Sequence, residues 1–246
     1  MVEDVAFNME ILTEILAERG WQVVPATSGE AALDILAGEA DFQVILMDIG
    51  LPGIDGLETT RRIKKIPACR AIPVIALTAE TVAEQEHFLT AGFDGYLEKK
   101  FDPEQLFAAI AGHLSPDCGQ RHKTEPTLNN EATQFDLDFE TLLGSYADEN
   151  NLGRIVMAFF ADTNKELLLL GEAMATGDQS AILACCHSLR GTAAIFTARN
   201  LGLAAKELKD CILAEKKIEA EAAWQRVQTA HALLQQAVSK RLNLAL

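Results

Sequence analysis

Long apolar runs are missing from the sequence. No stretch reaches the roughly 18 consecutive apolar residues that a membrane-spanning helix needs. The chain opens on acidic residues, whereas a secretory signal peptide is basic and then apolar. We therefore expect no membrane insertion by this chain and a cytoplasmic location, either alone or as the cytoplasmic part of a membrane-bound protein.

Basic residues and paired cysteines are also scarce. The 21 Lys and Arg residues face 36 Asp and Glu residues, and the resulting net charge of -15 repels polyanions. Nucleic acid is therefore excluded as the main partner. The five cysteines are odd in number and show no C-x-x-C spacing, which suits reduced thiols better than disulfides or a zinc site.

What the sequence does contain is typical of folded domains. It is 49% hydrophobic and 23% charged over 246 residues, enough chain for one large or two ordinary domains. Residues 115–134 carry two prolines, a glycine and only scattered apolar residues, so they are predicted to be a flexible linker. This linker separates a domain over 1–114, which carries -11 of the net charge, from a domain over 135–246.

Short apolar runs alternate with helical patterns in the first domain, which predicts an α/β fold with a doubly wound parallel sheet. After a short first strand, the predicted strands are 21–25, 42–49, 72–78 and 95–97, and the predicted helices are 27–38, 55–66, 81–92 and 102–114. Thr27 and Glu30 have the spacing of a capping box, and Asp102 precedes a proline at the first helical position.

The second domain shows helical periodicity only. No run in it alternates with period two, and its long amphipathic segments are 152–176, 178–196, 198–214 and 217–240. This pattern predicts an all-α helical bundle.

Asp48 follows a nearly continuous apolar run, as expected at the end of a central strand that is covered on both faces. By itself, such a residue more often starts a turn or caps a backbone group. Other polar residues close the neighbouring strands, and in this topology these ends open on one edge of the sheet, where ligands bind. They are Glu3, Asp4, Thr78 and Lys99.

Three acids, a lysine and a hydroxyl describe a site for a hard cation and a phosphoryl group. Mg²⁺ prefers oxygen ligands, and a lysine supplies a point charge for phosphate oxygens. A carboxylate can also accept a phosphoryl group and form an aspartyl phosphate.

The first domain resembles the response-regulator receiver domain over nearly its whole length. The matching motifs are VED near the start, ILMDIGLPGIDG, IALTA and GYLEKKF. The resemblance implies a flavodoxin-like fold in which Asp48 is the phosphoacceptor. It also implies that Asp4, Asp48 and the backbone carbonyl of Gly50 bind Mg²⁺, with Glu3 assisting through water.

The resemblance assigns further roles around this site. Thr78 and Tyr96 match the pair whose rearrangement signals phosphorylation, and Lys99 matches the lysine that binds the phosphate. Pro52 and Gly56 match the turn that follows the phosphoacceptor.

The sequence departs from the receiver family in two places. Only Met1 and Val2 precede Glu3, where the family has four or five apolar residues, so we expect a truncated first strand: either the start is misassigned, the chain is a fragment, or the strand is crippled. Lys100 replaces a proline that follows a cis peptide in the family, and because a non-proline cis bond costs about 3 to 4 kcal/mol, this loop is expected to be trans. A phosphatase of the haloacid dehalogenase type also uses a carboxylate at a strand end. It would need a second Asp two residues after Asp48, where this sequence has Gly50, which argues against that class.

Helix 178–196 contains a histidine away from its apolar stripe. The stripe consists of Ile182, Cys186, Leu189, Ala193 and Phe196. At about 100° per residue, His187 points about 140° away from Ile182, so it is expected on an exposed face with Arg190. A lone helical histidine is most often a plain surface residue, and Cys186 diverges too far from it to share a metal. Gly191 favours a functional role for His187. Glycine inside a helix costs about 1 kcal/mol relative to alanine, and at this position it would leave a flat patch beside the imidazole.

The segment CHSLRGTAAIF with its helical surroundings resembles the histidine phosphotransfer domain, over about residues 136–240. The resemblance implies that His187 is phosphorylated and that Arg190 and Gly191 support it. A receiver followed by such a domain is the arrangement at the C-terminal end of hybrid sensor histidine kinases. It implies a phosphorelay from an upstream histidine kinase to Asp48, then to His187, and then to a downstream response regulator.

Phosphoryl transfer through the chain's own Asp and His is therefore the predicted activity. No G-x-x-x-x-G-K-[ST] loop and no other segment for ATP is visible, so the chain is not expected to start the relay itself. A flexible linker of 20 residues spans roughly 25 Å on average, enough for Asp48 and His187 of one chain to meet. The alternative is a non-catalytic protein-interaction module with an inactive receiver.

Overall fold

The computed structural model describes residues 1–38, 41–79, 88, 90–99, 103–114 and 149–242. Contacts divide the chain into two compact units. The first unit comprises Met1–Asp4 and Thr13–Phe135, and the second, helical unit comprises Val5–Leu12 and Asp136–Leu246. The predicted linker, most of the predicted helix 81–92, and Lys100 and Asp102 with their predicted roles lie outside the described residues.

The first part of the chain contains both helices and strands. In chain order they are α1 (Ala6–Glu18), α2 (Gly29–Gly38), β1 (Ile45–Asp48), α3 (Gly56–Lys65), β2 (Val74–Thr78), β3 (Gly95–Glu98) and α4 (Pro103–Leu114). Two helices begin at sequence signals, since α3 begins after the N-cap Asp55 and α4 begins at a proline, whereas α1 was not among the predicted helices.

The three strands form one parallel sheet in the order β1-β2-β3. Ile45 pairs with Val74, and Ile75 pairs with Gly95. Every residue of β1 and β2 is buried, whereas β3 is half-buried throughout. The apolar runs that predicted continuous buried strands therefore do form the centre of a parallel α/β sheet.

The predicted first strand is reduced to isolated pairings around Val2. This residue bridges Ala26 on one side and Met47 of β1 on the other, both in parallel. Its N–H donates to the Leu46 carbonyl at 2.8 Å, and its own carbonyl accepts from the Asp48 N–H at 2.9 Å. The prediction of a strand over 21–25 is wrong, because a strand needs a partner of similar length and only Met1–Glu3 is available there.

The cap of α2 also differs from the prediction. Ser28, not Thr27, accepts from the Ala31 N–H through its hydroxyl, at 3.2 Å, and its carbonyl accepts from the Ala32 N–H. The helix therefore begins one residue later than the capping-box spacing indicated. Glu30 is consequently two residues after the cap, one short of the capping-box position, and its carboxylate also accepts from the Ile54 N–H, as described below.

Four helices make up most of the second unit, as the periodicity predicts. They are α5 (Glu149–Thr176), α6 (Gln179–Ile195), α7 (Arg199–Leu213) and α8 (Lys217–Leu242). Consecutive helices pack against each other, and α8 also contacts α5, so the apolar stripes face one shared core. No helix among the described residues is both long and apolar enough to cross a bilayer.

Aromatic rings form part of the core of the helical unit. The rings of Phe159 and Phe196 stack at 3.9 Å between centroids. Phe7, in the Val5–Leu12 segment that belongs to this unit, packs edge-on against both rings. The Phe7 N–H donates to the Asp162 carboxylate at 2.8 Å, so backbone polarity is satisfied where the ring is buried.

Candidate functional site

Asp48 is the last residue of β1 and is almost fully buried, with 1% of its surface exposed. Its position is fixed from both sides. The Asp48 N–H bonds to Val2, as described above, and the start of α3 packs so closely that a Cβ on Gly56 would lie 2.1 Å from the Asp48 carbonyl oxygen. A carboxylate in such a setting needs a charged partner, because an unpaired buried charge is strongly unfavourable.

Lys99 supplies that charge. Its ammonium lies 2.8 Å from a carboxylate oxygen of Asp48 and 2.8 Å from one of Glu3. The backbone of Lys99 is held at the end of the sheet, since its N–H donates to the Thr78 carbonyl at 2.6 Å. The structure thus brings together residues 51 and 96 positions apart in sequence.

The charge state of this cluster follows from its geometry. Burial of the Lys99 ammonium acts to lower its pKa, but the charges and hydrogen bonds of Asp48 and Glu3 outweigh burial, so the pKa of Lys99 is raised above its usual value. Lys99 therefore remains protonated throughout the physiological range. A permanent positive charge at this point suits the binding of phosphoryl oxygens.

Glu3, Asp4 and Asp48 form the one group of three or more metal-binding side chains found within the described ranges. Each offers a carboxylate oxygen, and these oxygens all lie within 4.8 Å of one another. The Lys99 ammonium bonds to two of these three side chains, Glu3 and Asp48. Three carboxylates are the kind of oxygen donors that fit a hard divalent cation such as Mg²⁺.

The loop after Asp48 turns tightly back to the start of α3. The Gly50 N–H lies 3.4 Å from an Asp48 carboxylate oxygen, and the Gly56 N–H donates to the Ile49 carbonyl at 2.9 Å. Pro52 is exposed at the tip, and Gly53 beside it adopts a φ of +77°. The Pro-Gly pair is a turn signal that could have singled out Gly53 from the sequence.

Thr78 and Tyr96 lie on neighbouring strands. Thr78 ends β2 and is 4% exposed, while Tyr96 is half-buried on β3 and pairs in register with Ala76. The ring of Tyr96 lies 6.4 Å from that of Phe88. Thr78 is therefore on β2 and Tyr96 is on β3, the strand that Lys99 directly follows.

His187 lies in the second half of α6 and is half-buried. The prediction that Arg190 and Gly191 share an exposed face is wrong, since Gly191 is buried and Arg190 is only 8% exposed. The residues of the predicted stripe are indeed buried, but α6 packs between α5 and α7. Two neighbours widen the buried face far beyond the single stripe that periodicity detects.

Cys185 and Cys186 precede His187 in the same buried turn of α6. Burial raises the pKa of each thiol to about 12, and for Cys185 the negative charge of Glu166 adds to this effect. Thiols with such pKa values are neutral at physiological pH and are poor metal ligands and nucleophiles. Cys69 and Cys211 are also free.

One unit of the chain has a buried carboxylate with a lysine and two further acids at the carboxyl edge of a parallel sheet. The other unit is a helical bundle that carries His187. Together these features define a class of proteins. These are phosphoryl-transfer proteins of signalling pathways, in which Asp and His side chains carry the phosphoryl group.

Comparison with known proteins agrees with this class. The family model of the response regulator receiver domain matches residues 1–111, and that of the Hpt domain matches residues 154–240. The polar-differentiation response regulator DivK of Brucella ovis is 35% identical over 115 residues, which are 46% of this chain and 93% of DivK. The sensor histidine kinase GacS of Pseudomonas protegens is 29% identical over 199 residues, 77% of this chain and 21% of GacS.

One similar solved structure is the receiver domain of a sensor histidine kinase from Pseudomonas aeruginosa, with a magnesium ion in its active-site cleft. It is 32% identical, covers 46% of this chain and 93% of that one, and has a TM-score of 0.44. The present chain belongs to the response regulator receiver family, and an Hpt domain follows in its second half. The two domains make it a phosphorelay module of two-component signalling. It spans 13% of the length of a probable histidine kinase from Oryza sativa and 21% of GacS.

Proposed function

We propose that this module takes a phosphoryl group from an upstream histidine kinase onto Asp48, passes it to His187 and delivers it to a downstream response regulator. The observation that carries the proposal is the buried Asp48–Lys99 pair, in which the acceptor carboxylate already touches the cation that would receive phosphoryl oxygens. The match of the helical unit to Hpt domains supports His187 as the second acceptor.

In the first step, a carboxylate oxygen of Asp48 attacks phosphorus, the bond from phosphorus to the donor breaks, and the donor leaves with the bonding electrons. Lys99 holds the transferring oxygens by its fixed positive charge. Glu3, Asp4, Asp48 and the carbonyl of Gly50 would hold Mg²⁺, which when bound neutralises charge on the phosphoryl group.

Phosphorylation of Asp48 changes the hydrogen-bond partners that are available to the Lys99 ammonium. Its ammonium now bonds to Asp48 and Glu3, and new phosphoryl oxygens compete for it. Because the Lys99 N–H is bonded to Thr78, a shift of Lys99 reaches the end of β2 directly. We propose that Thr78 and Tyr96 report this shift. Thr78 pairs with Glu98, and Tyr96 lies two residues before Glu98 on β3.

In the second step, a ring nitrogen of His187 attacks the phosphorus of the acyl phosphate. The Asp48 carboxylate leaves, and the imidazole releases its N–H proton to solvent. Arg190 would compensate phosphoryl charge beside His187. The proposed site of action is the cytoplasm, where the kinase and the regulator are also placed.

Labelling with acetyl phosphate tests both acceptors in the full chain. Base hydrolyses acyl phosphates but leaves phosphohistidine intact, and acid then releases the phosphohistidine label, so treatment with base and then acid counts the two labels separately. With Mg²⁺, the wild-type chain is expected to carry both labels. Asp48→Asn should carry neither, and His187→Gln should keep only the base-labile label.

Three results would contradict the proposal. No label on the wild-type chain would favour a non-catalytic interaction module, for which the reduced first strand at Val2 is the structural argument. Loss of both labels in His187→Gln, with the acid-labile label intact in Asp48→Asn, would reverse the order of the steps. A base-labile label alone on the wild-type chain would remove His187 from the relay.

A further inference from the structure

Glu30 reaches from α2 to the loop that follows the phosphoacceptor. Its carboxylate oxygen accepts from the Ile54 N–H at 3.1 Å. Gly53, beside this N–H, has a φ of +77° and presents only backbone, and a Cβ there would lie 2.7 Å from the same oxygen. The carboxylate therefore lies close against the loop backbone at Gly53.

The base of Glu30 is itself firmly held. Ser28 caps the helix one residue before Gly29, and Gly29 packs so closely that a Cβ would lie 2.1 Å from the Thr59 hydroxyl and 3.0 Å from the Ile54 carbonyl. Hydrogen bonds from the N–H of Glu30 itself and then from the N–H of Ile54 lower the pKa of Glu30. The Glu30 carboxylate is thus presented, from a closely packed helix start, to one N–H of the loop.

The other end of this loop carries the reacting groups. Ile49 and Gly50 come directly after Asp48, and the Ile49 carbonyl is tied to the Gly56 N–H at 2.9 Å. Because the loop closes on itself between these points, the position of Ile54 limits where the Gly50 carbonyl can lie. That carbonyl is a proposed Mg²⁺ ligand, so outer partners that fix it affect metal affinity.

We infer that Glu30 is a positioning residue for the Mg²⁺ site, acting through its hydrogen bond to the Ile54 N–H and not through its charge. The inference rests on the proposed function. This positioning role can be distinguished from simple electrostatic attraction of the cation by Glu30. A hydrogen bond depends on the length of the side chain, whereas a charge effect does not.

Titration calorimetry of the full chain with MgCl₂ tests this inference with two reciprocal variants. Glu30→Gln keeps the length and an acceptor oxygen but removes the charge, and Glu30→Asp keeps the charge but is one methylene too short. We expect the dissociation constant for Mg²⁺ to rise about threefold to tenfold in Glu30→Asp and in Glu30→Ala. In Glu30→Gln it should stay within about twofold of wild type.

The outcomes distinguish this inference from the proposed function. If Glu30→Gln weakens Mg²⁺ binding as much as Glu30→Ala while Glu30→Asp does not, charge and not position is at work, and the inference fails. If all three variants bind like wild type, it fails as well. If the wild-type chain neither binds Mg²⁺ nor takes an acyl phosphate, the proposed function falls and takes the inference with it.

Discussion

The Lys99 ammonium lies 2.8 Å from a carboxylate oxygen of Asp48, and both side chains are about 1% exposed. Removing the cation while keeping the stem, in Lys99→Met, takes the ammonium away from the buried carboxylates of Asp48 and Glu3. We expect the free energy of unfolding to fall by about 3 to 5 kcal/mol, the usual cost of breaking a buried ion pair.

Magnesium should restore much of this loss. Urea unfolding with and without MgCl₂ measures the effect. Mg²⁺ should stabilise Lys99→Met by more than it stabilises the wild-type chain, because the cation replaces the positive charge that the substitution removes. Equal stabilisation of both chains by Mg²⁺ would contradict the view that cation and lysine share the same carboxylates.

Gly56 should tolerate no side chain. A Cβ there would lie 2.1 Å from the Asp48 carbonyl oxygen and 2.8 Å from the Ile49 Cα, and backbone atoms cannot move aside as a side-chain tip can. We expect Gly56→Ala to destabilise the chain by about 1 to 3 kcal/mol and to slow labelling of Asp48 by acetyl phosphate.

Gly112→Ala is the matched control for Gly56→Ala. Gly112 lies within α4, and a Cβ there would meet no atom within 4 Å. Alanine should therefore stabilise this helix by up to about 1 kcal/mol and leave labelling unchanged. Equal behaviour of the two variants in urea unfolding would show that the close approach at Gly56 does not matter.

His231 should make the helical unit sensitive to acid. Its Nε2 lies 2.9 Å from the Thr163 hydroxyl, the ring packs edge-on against Phe160, and burial lowers the pKa of His231. The unfolded chain binds a proton near pH 6.5 and the folded chain only at lower pH, so stability is present above that range and is lost as the pH falls below it.

Urea unfolding between about pH 7.5 and pH 5 measures this slope. His231→Leu removes the titrating ring, and the Thr163 hydroxyl remains satisfied because it donates to the Phe159 carbonyl at 2.9 Å. The variant should lose less stability on acidification than the wild-type chain. Parallel pH profiles for the two chains would argue that His231 is not protonated on unfolding.

The thiols beside His187 should be inert in the folded chain. Cys185 and Cys186 are buried, and burial raises the pKa of each to about 12, whereas Cys211 is partly exposed. Brief treatment with iodoacetamide, followed by peptide mass mapping, should modify Cys211 well before the other two. Rapid modification of Cys185 or Cys186 would mean that this part of α6 opens readily.

The sequence was informative where a pattern reflects one repeating environment. Continuous apolar runs predicted β1 and β2, and the polar residue that ended each run, Asp48 or Thr78, indicated the edge where Lys99 also lies. Helical periodicity likewise predicted α5 to α8 to within a few residues. In both cases burial repeats along the element, so that neighbouring residues carry the same information.

Prediction failed where the outcome depends on a partner elsewhere in the chain. Within the described residues, the strand expected over 21–25 has only Met1–Glu3 beside it, and the burial of Arg190 follows from packing of α6 that no single-helix stripe contains. The bond between Glu30 and Ile54 joins residues 24 positions apart through one oxygen and one N–H. Such a contact leaves no periodic trace in the sequence.

The central claim is that one phosphoryl group moves from Asp48 to His187. The most direct measurement loads the chain with radiolabelled acetyl phosphate and Mg²⁺, removes the donor, and follows the base-labile and acid-labile labels over time. We expect the base-labile label to decline while the acid-labile label rises from a lower starting value, and His187→Gln to show the decline alone. An acid-labile label that never appears, or that precedes the base-labile one, would contradict the claim.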